Sequence, residues 1–155
     1  MKHDPYLQRL EAAKAEATIQ LLFKAARLLN EKAITRARAR THVPLRTVHT
    51  SVLPHVGFEG TRLTDLAAKL GVSKQAAGQL VDELVDFGYL ERLPDPTDAR
   101  AKLIRYSKKG KAGILEGLAI LKELENELME IVGAPAMKTM HEALAKIVSR
   151  ELEPQ

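Results

Sequence analysis

No cysteine occurs among the 155 residues of this chain, and tryptophan is missing as well. Without thiols it can form neither disulfides nor a thiol-based peroxide sensor. Its five histidines are His3, His42, His49, His55 and His141. Their spacing matches no zinc-ligand pattern, and such sites need three or four convergent donors, so no metal and no cofactor is expected. There is no glycine-rich phosphate loop, no nucleophile elbow and no paired-acid signature. No catalytic residue is therefore assigned, and the chain is not expected to be an enzyme. Nor is there an apolar run of roughly 18 residues that would span a bilayer, and the N-terminal MKHDPYLQRLEAAK has no apolar core of signal-peptide length. A cytoplasmic protein without a membrane partner is expected. Internal repeats and long Gly/Ser linkers are also missing; the one biased stretch is Arg36-Ala37-Arg38-Ala39-Arg40.

The length favours a single domain with a substantial core. The net charge is +4, mildly basic, and unevenly spread. Residues 1–60 carry ten Lys/Arg against five Asp/Glu, residues 61–107 seven against seven, and residues 108–155 seven against eight.

The stretch from Thr61 to Ser107 is the most informative. Thr64 precedes Asp-Leu-Ala-Ala-Lys-Leu and is expected to cap a helix, with Asp65 near its positive end. Gly71 stands where a left-handed terminating residue is wanted, and Ser73 offers a second N-cap. Ala76, Leu80, Leu84 and Phe87 recur at helical spacing and predict the apolar face of a second helix, while Ala67 and Ala76 are small where the two helices would cross. Gly88 ends that helix. Tyr89 to Leu93 and Leu103 to Tyr106 read as strands, and Pro94-Asp95-Pro96-Thr97-Asp98 between them is expected to leave the ladder and turn. Helix, turn, helix and hairpin together predict a winged helix-turn-helix whose second helix can enter a major groove.

On the segments LTDLAAKLGVSKQ, LVDELVDFGYLERLPDPTDAR and KLIRYSKKGK the chain resembles the MarR family of bacterial transcriptional regulators. The family frame L-x-x-x-G, two hydrophobic residues, x-R falls on Leu84 to Arg92. Its D-x-R falls on Asp98-Ala99-Arg100, and its L-T-x-x-G on Tyr106 to Gly110. The resemblance implies a mostly α fold with a winged-helix core, a homodimer, and binding of double-stranded DNA at an inverted-repeat operator. It also implies repression or activation of genes, with repression expected here, and release by a small aromatic or anionic effector held near Leu45–His55 and the first helix. Many relatives carry arginine near the positions of Gln79 and Glu83, where this chain departs.

The residues expected at the DNA interface are Thr64, Ser73, Lys74, Gln75, Gly78 and Gln79 of the helix pair, with Asp98, Arg100 and Lys102 of the wing. Gln75 and Gln79 lie four apart, and glutamine can pair bidentately with adenine. Arg105 adds a further wing cation, and Asp98 is expected to pair with Arg100. Asp82, Glu83 and Asp86 cluster further along the helix, facing protein cations such as Arg92, and Glu83 is expected to repel phosphate. The Arg36–Arg40 tract reads as a solvated helix end complementing the helix dipole, with contacts to flanking phosphates as the alternative.

Outside this region the pattern is helical. Leu10, Ala13, Ala17, Leu21, Ala25 and Leu28 form one stripe; Ile114, Leu118, Leu121, Leu124, Leu128 and Ile131 form another. After a break at Gly133-Ala134-Pro135 a third follows, with Met137, Met140, Leu144, Ile147 and Val148. Such long apolar stripes at both chain ends predict dimerisation by residues 1–40 and 108–155 around a DNA-binding region 41–107. A helical bundle within one chain is the alternative. Two other functions fit less well: a winged helix that binds protein, favoured by the neutral charge of residues 61–107, and a small enzyme with an interhelical pocket, which no motif supports.

Overall fold

A computed structural model of the chain describes residues 4–152. Seven helices and a three-stranded antiparallel sheet follow one another along it. Helices α1 (Pro5–Glu16) and α2 (Thr18–Thr41) are separated by one extended residue, Ala17. Asp4 caps α1 by accepting the Tyr6 amide, and Pro5 sits at its first turn, where no amide donor is needed. Helix α3 (Thr47–Val52) passes into a single 3-10 turn at Leu53–His55. The short strand β1 (Thr61–Arg62) leads into α4 (Leu63–Leu70) and α5 (Lys74–Asp86). Strands β2 (Leu90–Asp95) and β3 (Asp98–Tyr106) form the wing, and α6 (Lys108–Val132) and α7 (Ala134–Leu152) complete the chain. The sheet order is β1-β3-β2, with Thr61 opposite Ile104 and Leu90 opposite Tyr106.

The core of the winged helix gathers Val52 from α3, Leu66 from α4, Val81 and Leu84 from α5, and Leu90, Ile104 and Tyr106 from the sheet. The buried face of α5 is Ala77, Val81 and Leu84. This is one position round from the Ala76–Leu80–Leu84–Phe87 stripe, and it is Ala77 with Ala67, not Ala76, that is buried where the helices cross. Val81 lies centrally on the true face, so that choice of phase removes the most apolar area from water. Gly71 ends α4 with φ +65°, as its position in the sequence implies. Thr64, in contrast, does not cap α4: the cap position belongs to Arg62, and the Thr64 hydroxyl donates to Asp65 instead. The pairing of Arg62 with Leu103 starts the helix two residues early.

Pro94 and Asp95 remain in the ladder, opposite Lys102 and Asp98, with an irregularity between them. Strand β2 is at the sheet edge, where a missing amide donor is tolerated, and the turn shrinks to Pro96-Thr97.

Helix α6 is tied to the wing at its first turn. Ser107 caps it by accepting the Gly110 amide at 2.9 Å and donates its own hydroxyl to the Gly88 carbonyl at 2.5 Å. A Cβ at Gly110 would stand 1.9 Å from the Tyr89 carbonyl oxygen, so only glycine lets the helix approach this closely. Further along, α6 packs on α2, burying Ile120 and Leu124. Arg38 and Arg40 are exposed in the last turn of α2, as the sequence implies, but Arg36 and Arg40 are held in ion pairs across to α6. Arg36 pairs with Glu123 and Glu127 of α6, Arg40 pairs with Glu116 and Glu123, and the Nε of Arg38 donates to the Leu45 carbonyl. The acidic partners lie about 80 positions away in sequence, where helical periodicity gives no warning of them.

Large apolar side chains nevertheless remain exposed on all four terminal helices. They include Leu7 on α1, Ile19, Leu21 and Phe23 on α2, Leu115, Leu118 and Ile131 on α6, and Ile147 and Val148 on α7. No helix among the described residues is long and apolar enough to cross a membrane.

Candidate nucleic-acid interface

Helix α5 carries its two faces cleanly. While Ala77, Val81 and Leu84 are fully buried, Lys74, Gln75 and Gln79 are exposed on the opposite side, with Gly78 between them. Ser73 caps the helix by accepting the Ala76 amide at 3.1 Å. Thr64 is also exposed, at the start of α4.

Asp98, Arg100 and Lys102 are all exposed on β3 of the wing. Among the described residues, Lys74, Arg100 and Lys102 take part in no ion pair, whereas Arg105 is held by Glu91 directly across the ladder at 2.7 Å. The expected Asp98–Arg100 ion pair is absent; Asp98 instead accepts the backbone amide of Arg100 at 3.0 Å, an interaction that shapes the turn and leaves the guanidinium unheld.

What stiffens the wing is a residue that the sequence pattern does not pick out. Arg62, at the end of β1, reaches over to Asp95 with its Nε and Nη2 at 2.7 and 2.6 Å and to the Thr97 hydroxyl at 3.1 Å. Asp95 is buried, and it also accepts the amide and hydroxyl of Thr97. These Thr97 hydrogen bonds, reinforced by Arg62, lower its carboxyl to a pKa of about 2. A two-residue strand is too short to leave a periodic signal, which is why β1 and the role of Arg62 are invisible without the fold.

Two acidic residues of α5, Asp82 and Glu83, are paired from within the protein. Asp82 pairs with Arg92 of β2 at 2.6 Å, as expected from the charge layout. Glu83 is not a free carboxylate poised to repel phosphate. It accepts from the Arg46 guanidinium and from Nε2 of His49 at 2.8 Å, and these contacts, Arg46 first, hold its pKa below the ordinary range. His49 is completely buried and packs edge-on against Phe87, at 5.4 Å between ring centres. It serves as a core contact and not as a ligand. No cluster of metal-binding side chains exists among the described residues, and His3 lies outside them.

Beside this contact an open cleft of about 410 Å³ is lined by Arg38, His42, Val43, Pro44 and Arg46. His42 ends α2 in the left-handed conformation, at φ +55°.

Residues 44–101 match the model of the MarR family. This chain carries a MarR-family winged helix. The fold around that MarR-family segment agrees. A transcriptional regulator of the family from Rhodococcus sp. RHA1 is 25% identical with a TM-score of 0.62, over 85% of this chain and 95% of its own. CouR from Rhodococcus jostii RHA1, solved bound to p-coumaroyl-CoA, is 26% identical with a TM-score of 0.61, over 86% of this chain and 92% of its own. CouR bound to a 23-mer DNA duplex, described as a transcriptional repressor, aligns at 21% identity with a TM-score of 0.63, over 86% and 94% of the two chains. No curated protein matches the chain significantly.

Proposed function

We propose that this protein is a sequence-specific DNA-binding transcriptional regulator, a repressor, that reads an inverted-repeat operator as a homodimer and has no enzymatic activity. The observation that carries this reading is the division of α5, whose apolar face is wholly committed to the core while Lys74, Gln75 and Gln79 project from its capped N-terminal half. That end of a recognition helix is the part that contacts base edges. Arg100 and Lys102 supply a second, electrostatic contact from the wing. A narrow A/T-rich minor groove concentrates negative potential and attracts such an arginine. Ser73, Gly78, Thr64 and Asp98 serve by capping, close approach and shaping the turn. Pairing of Glu83 with Arg46, which lies outside residues 61–107, takes one acidic charge out of that segment's even balance and so supports DNA over a protein partner.

Dimerisation is assigned to the terminal helices, residues 1–40 and 108–155, because their exposed leucines and isoleucines are too numerous for a solitary chain. A two-fold dimer then presents two recognition helices to half-sites about one helical turn apart. The effector is a small aromatic or anionic molecule; CouR, to which the chain is similar, was solved with an aromatic acyl-CoA bound.

Selection of bound sequences from a random DNA pool tests this reading. An inverted repeat with adenines in each half-site is expected. Gln79→Ala should then cost about 1–3 kcal/mol on the selected site and much less on random DNA. Equal losses on both would mean that α5 positions the protein without reading bases. No enriched sequence at all, at low salt, would overturn the proposal.

A further inference from the structure

Gly78 lies inside α5, the fifth of its 13 residues, where glycine lowers helix stability relative to alanine. No contact within the protein explains it. A Cβ at this position would meet a single atom, Cδ2 of Leu63 at 3.7 Å, which is an ordinary van der Waals contact. Nor is its backbone left-handed, unlike that of Gly71 and Gly88. Gly110 and Gly113 of α6 differ in kind, since a Cβ there would come within 1.9 and 2.6 Å of Tyr89. The space left by the missing side chain at 78 is therefore open to a partner. On a helix, residues three and four apart are surface neighbours, and side chains lean toward the preceding turn. The recess at Gly78 accordingly opens beside Gln75 and Lys74, both exposed in the half of α5 assigned to base edges.

We propose that Gly78 is a specificity-determining position: it forms a recess on α5, beside Leu63, Lys74 and Gln75, that receives the C5 methyl of a thymine in each half-site. This rests on the DNA-reading role proposed for α5 and names one base of the sequence read. The Leu63 methyl gives the recess an apolar wall, from which a phosphate oxygen gains nothing. The apolar group that the major groove presents is the thymine methyl, and it belongs to the same base pair as the adenine edge that a glutamine can hold. Cytosine has no such methyl and leaves the recess empty. Alanine at 78 fills it from the protein side, so the glycine trades helix stability for recognition of thymine. Burial of one methyl corresponds to about a fourfold preference.

The test uses the full chain and a duplex carrying the inverted repeat enriched from the random pool. Thymines are replaced by deoxyuridine at symmetry-related positions, one pair at a time, which removes the C5 methyl and keeps the pairing with adenine. Affinity is read by fluorescence anisotropy. At one pair of positions the replacement should weaken wild-type binding about sixteenfold, about fourfold from each half-site. Gly78→Ala should bind the thymine duplex about tenfold more weakly, because two methyl groups then compete for one space. With uracil at that pair the loss should disappear, so that the variant prefers uracil to thymine there. Without DNA the variant should melt about 2–4 °C higher, from helix propensity alone. An unchanged or lower Tm would show that the glycine serves the fold and would overturn the proposal. So would a wild type indifferent to deoxyuridine at every position, or a variant that retains the wild-type preference for thymine. Equal weakening of Gly78→Ala on thymine and uracil duplexes would mean that the sugar-phosphate backbone approaches the helix, and would also overturn it. Any of these results with an enriched inverted repeat sinks the recess and leaves the DNA reading standing; no enriched sequence sinks both.

Discussion

Substitution of Gly110 by alanine probes the joint between the winged helix and the long C-terminal helix. The new Cβ would lie 1.9 Å from the Tyr89 carbonyl oxygen and 3.3 Å from the Tyr106 ring, while real Cβ contacts essentially never fall below 3.0 Å. Helix and strand must therefore separate by at least about 1.1 Å, the difference of those two distances. The obstacle is backbone and cannot rotate aside. The Tyr89 carbonyl accepts the Ser107 amide at 3.0 Å, so moving it strains the bond that starts α6. Overpacking costs about 1–3 kcal/mol and a weakened hydrogen bond about 1 kcal/mol more, giving a loss of about 2–4 kcal/mol. For a chain of this size that is a fall in Tm of about 5–15 °C. Gly117→Ala in the same helix is the control: nothing lies within 4 Å of its Cβ, so the variant should gain about 0.5–1 kcal/mol from helix propensity and melt slightly higher. Thermal denaturation followed by circular dichroism reads both. An unchanged Tm for Gly110→Ala, or equal losses at the two positions, would refute the claim that close approach fixes glycine at position 110.

Glu83→Arg should destabilise the fold instead of tightening DNA binding, because it sets two guanidiniums together and leaves the buried Nε2 donor of His49 unpaired; the latter alone costs about 1–3 kcal/mol, measurable by urea denaturation. Asp95 makes the wing acid-sensitive. Its folded pKa of about 2 lies below the ordinary 3.8, so its contribution is complete above pH 3.8 and is lost as pH falls to about 2. Over that window Asp95→Asn should show a flatter dependence of Tm on pH than the wild type, and parallel curves would exclude the Arg62–Asp95 tie as the cause. Arg100→Ala should weaken binding to specific and to unrelated A/T-rich DNA alike, and reduce the salt dependence by about one phosphate equivalent. Unchanged affinity in titrations at several salt concentrations would remove the wing arginine from the interface.

Local rules account for much of what the sequence reveals. A glycine free to adopt φ +65° ends α4, a serine hydroxyl caps α5, and Gly88 closes the helix before the strand begins. Each depends on neighbours within four residues, so each is legible from sequence, and together they outline a winged helix. The phase of a short amphipathic helix is less secure. Val81 and Leu80 both offer an apolar side chain, and only packing against Leu66 and Val52 selects the face centred on Val81. Contacts between distant segments lay beyond reach altogether. Whether Glu83 repels phosphate or anchors α5 depends on Arg46 and His49, more than 30 positions earlier. Whether Arg36 and Arg40 of α2 are paired or free depends on glutamates 76 or more positions later. Arg62 acquires its task only when β1 joins the sheet and brings it beside Asp95. Sequence by itself determined the caps, the turns and the apolar stripes, because these follow from backbone sterics and helical period. The tertiary structure decided which charges are spent inside the molecule and which remain for a partner, because an ion pair forms between surfaces that chain order alone does not bring together.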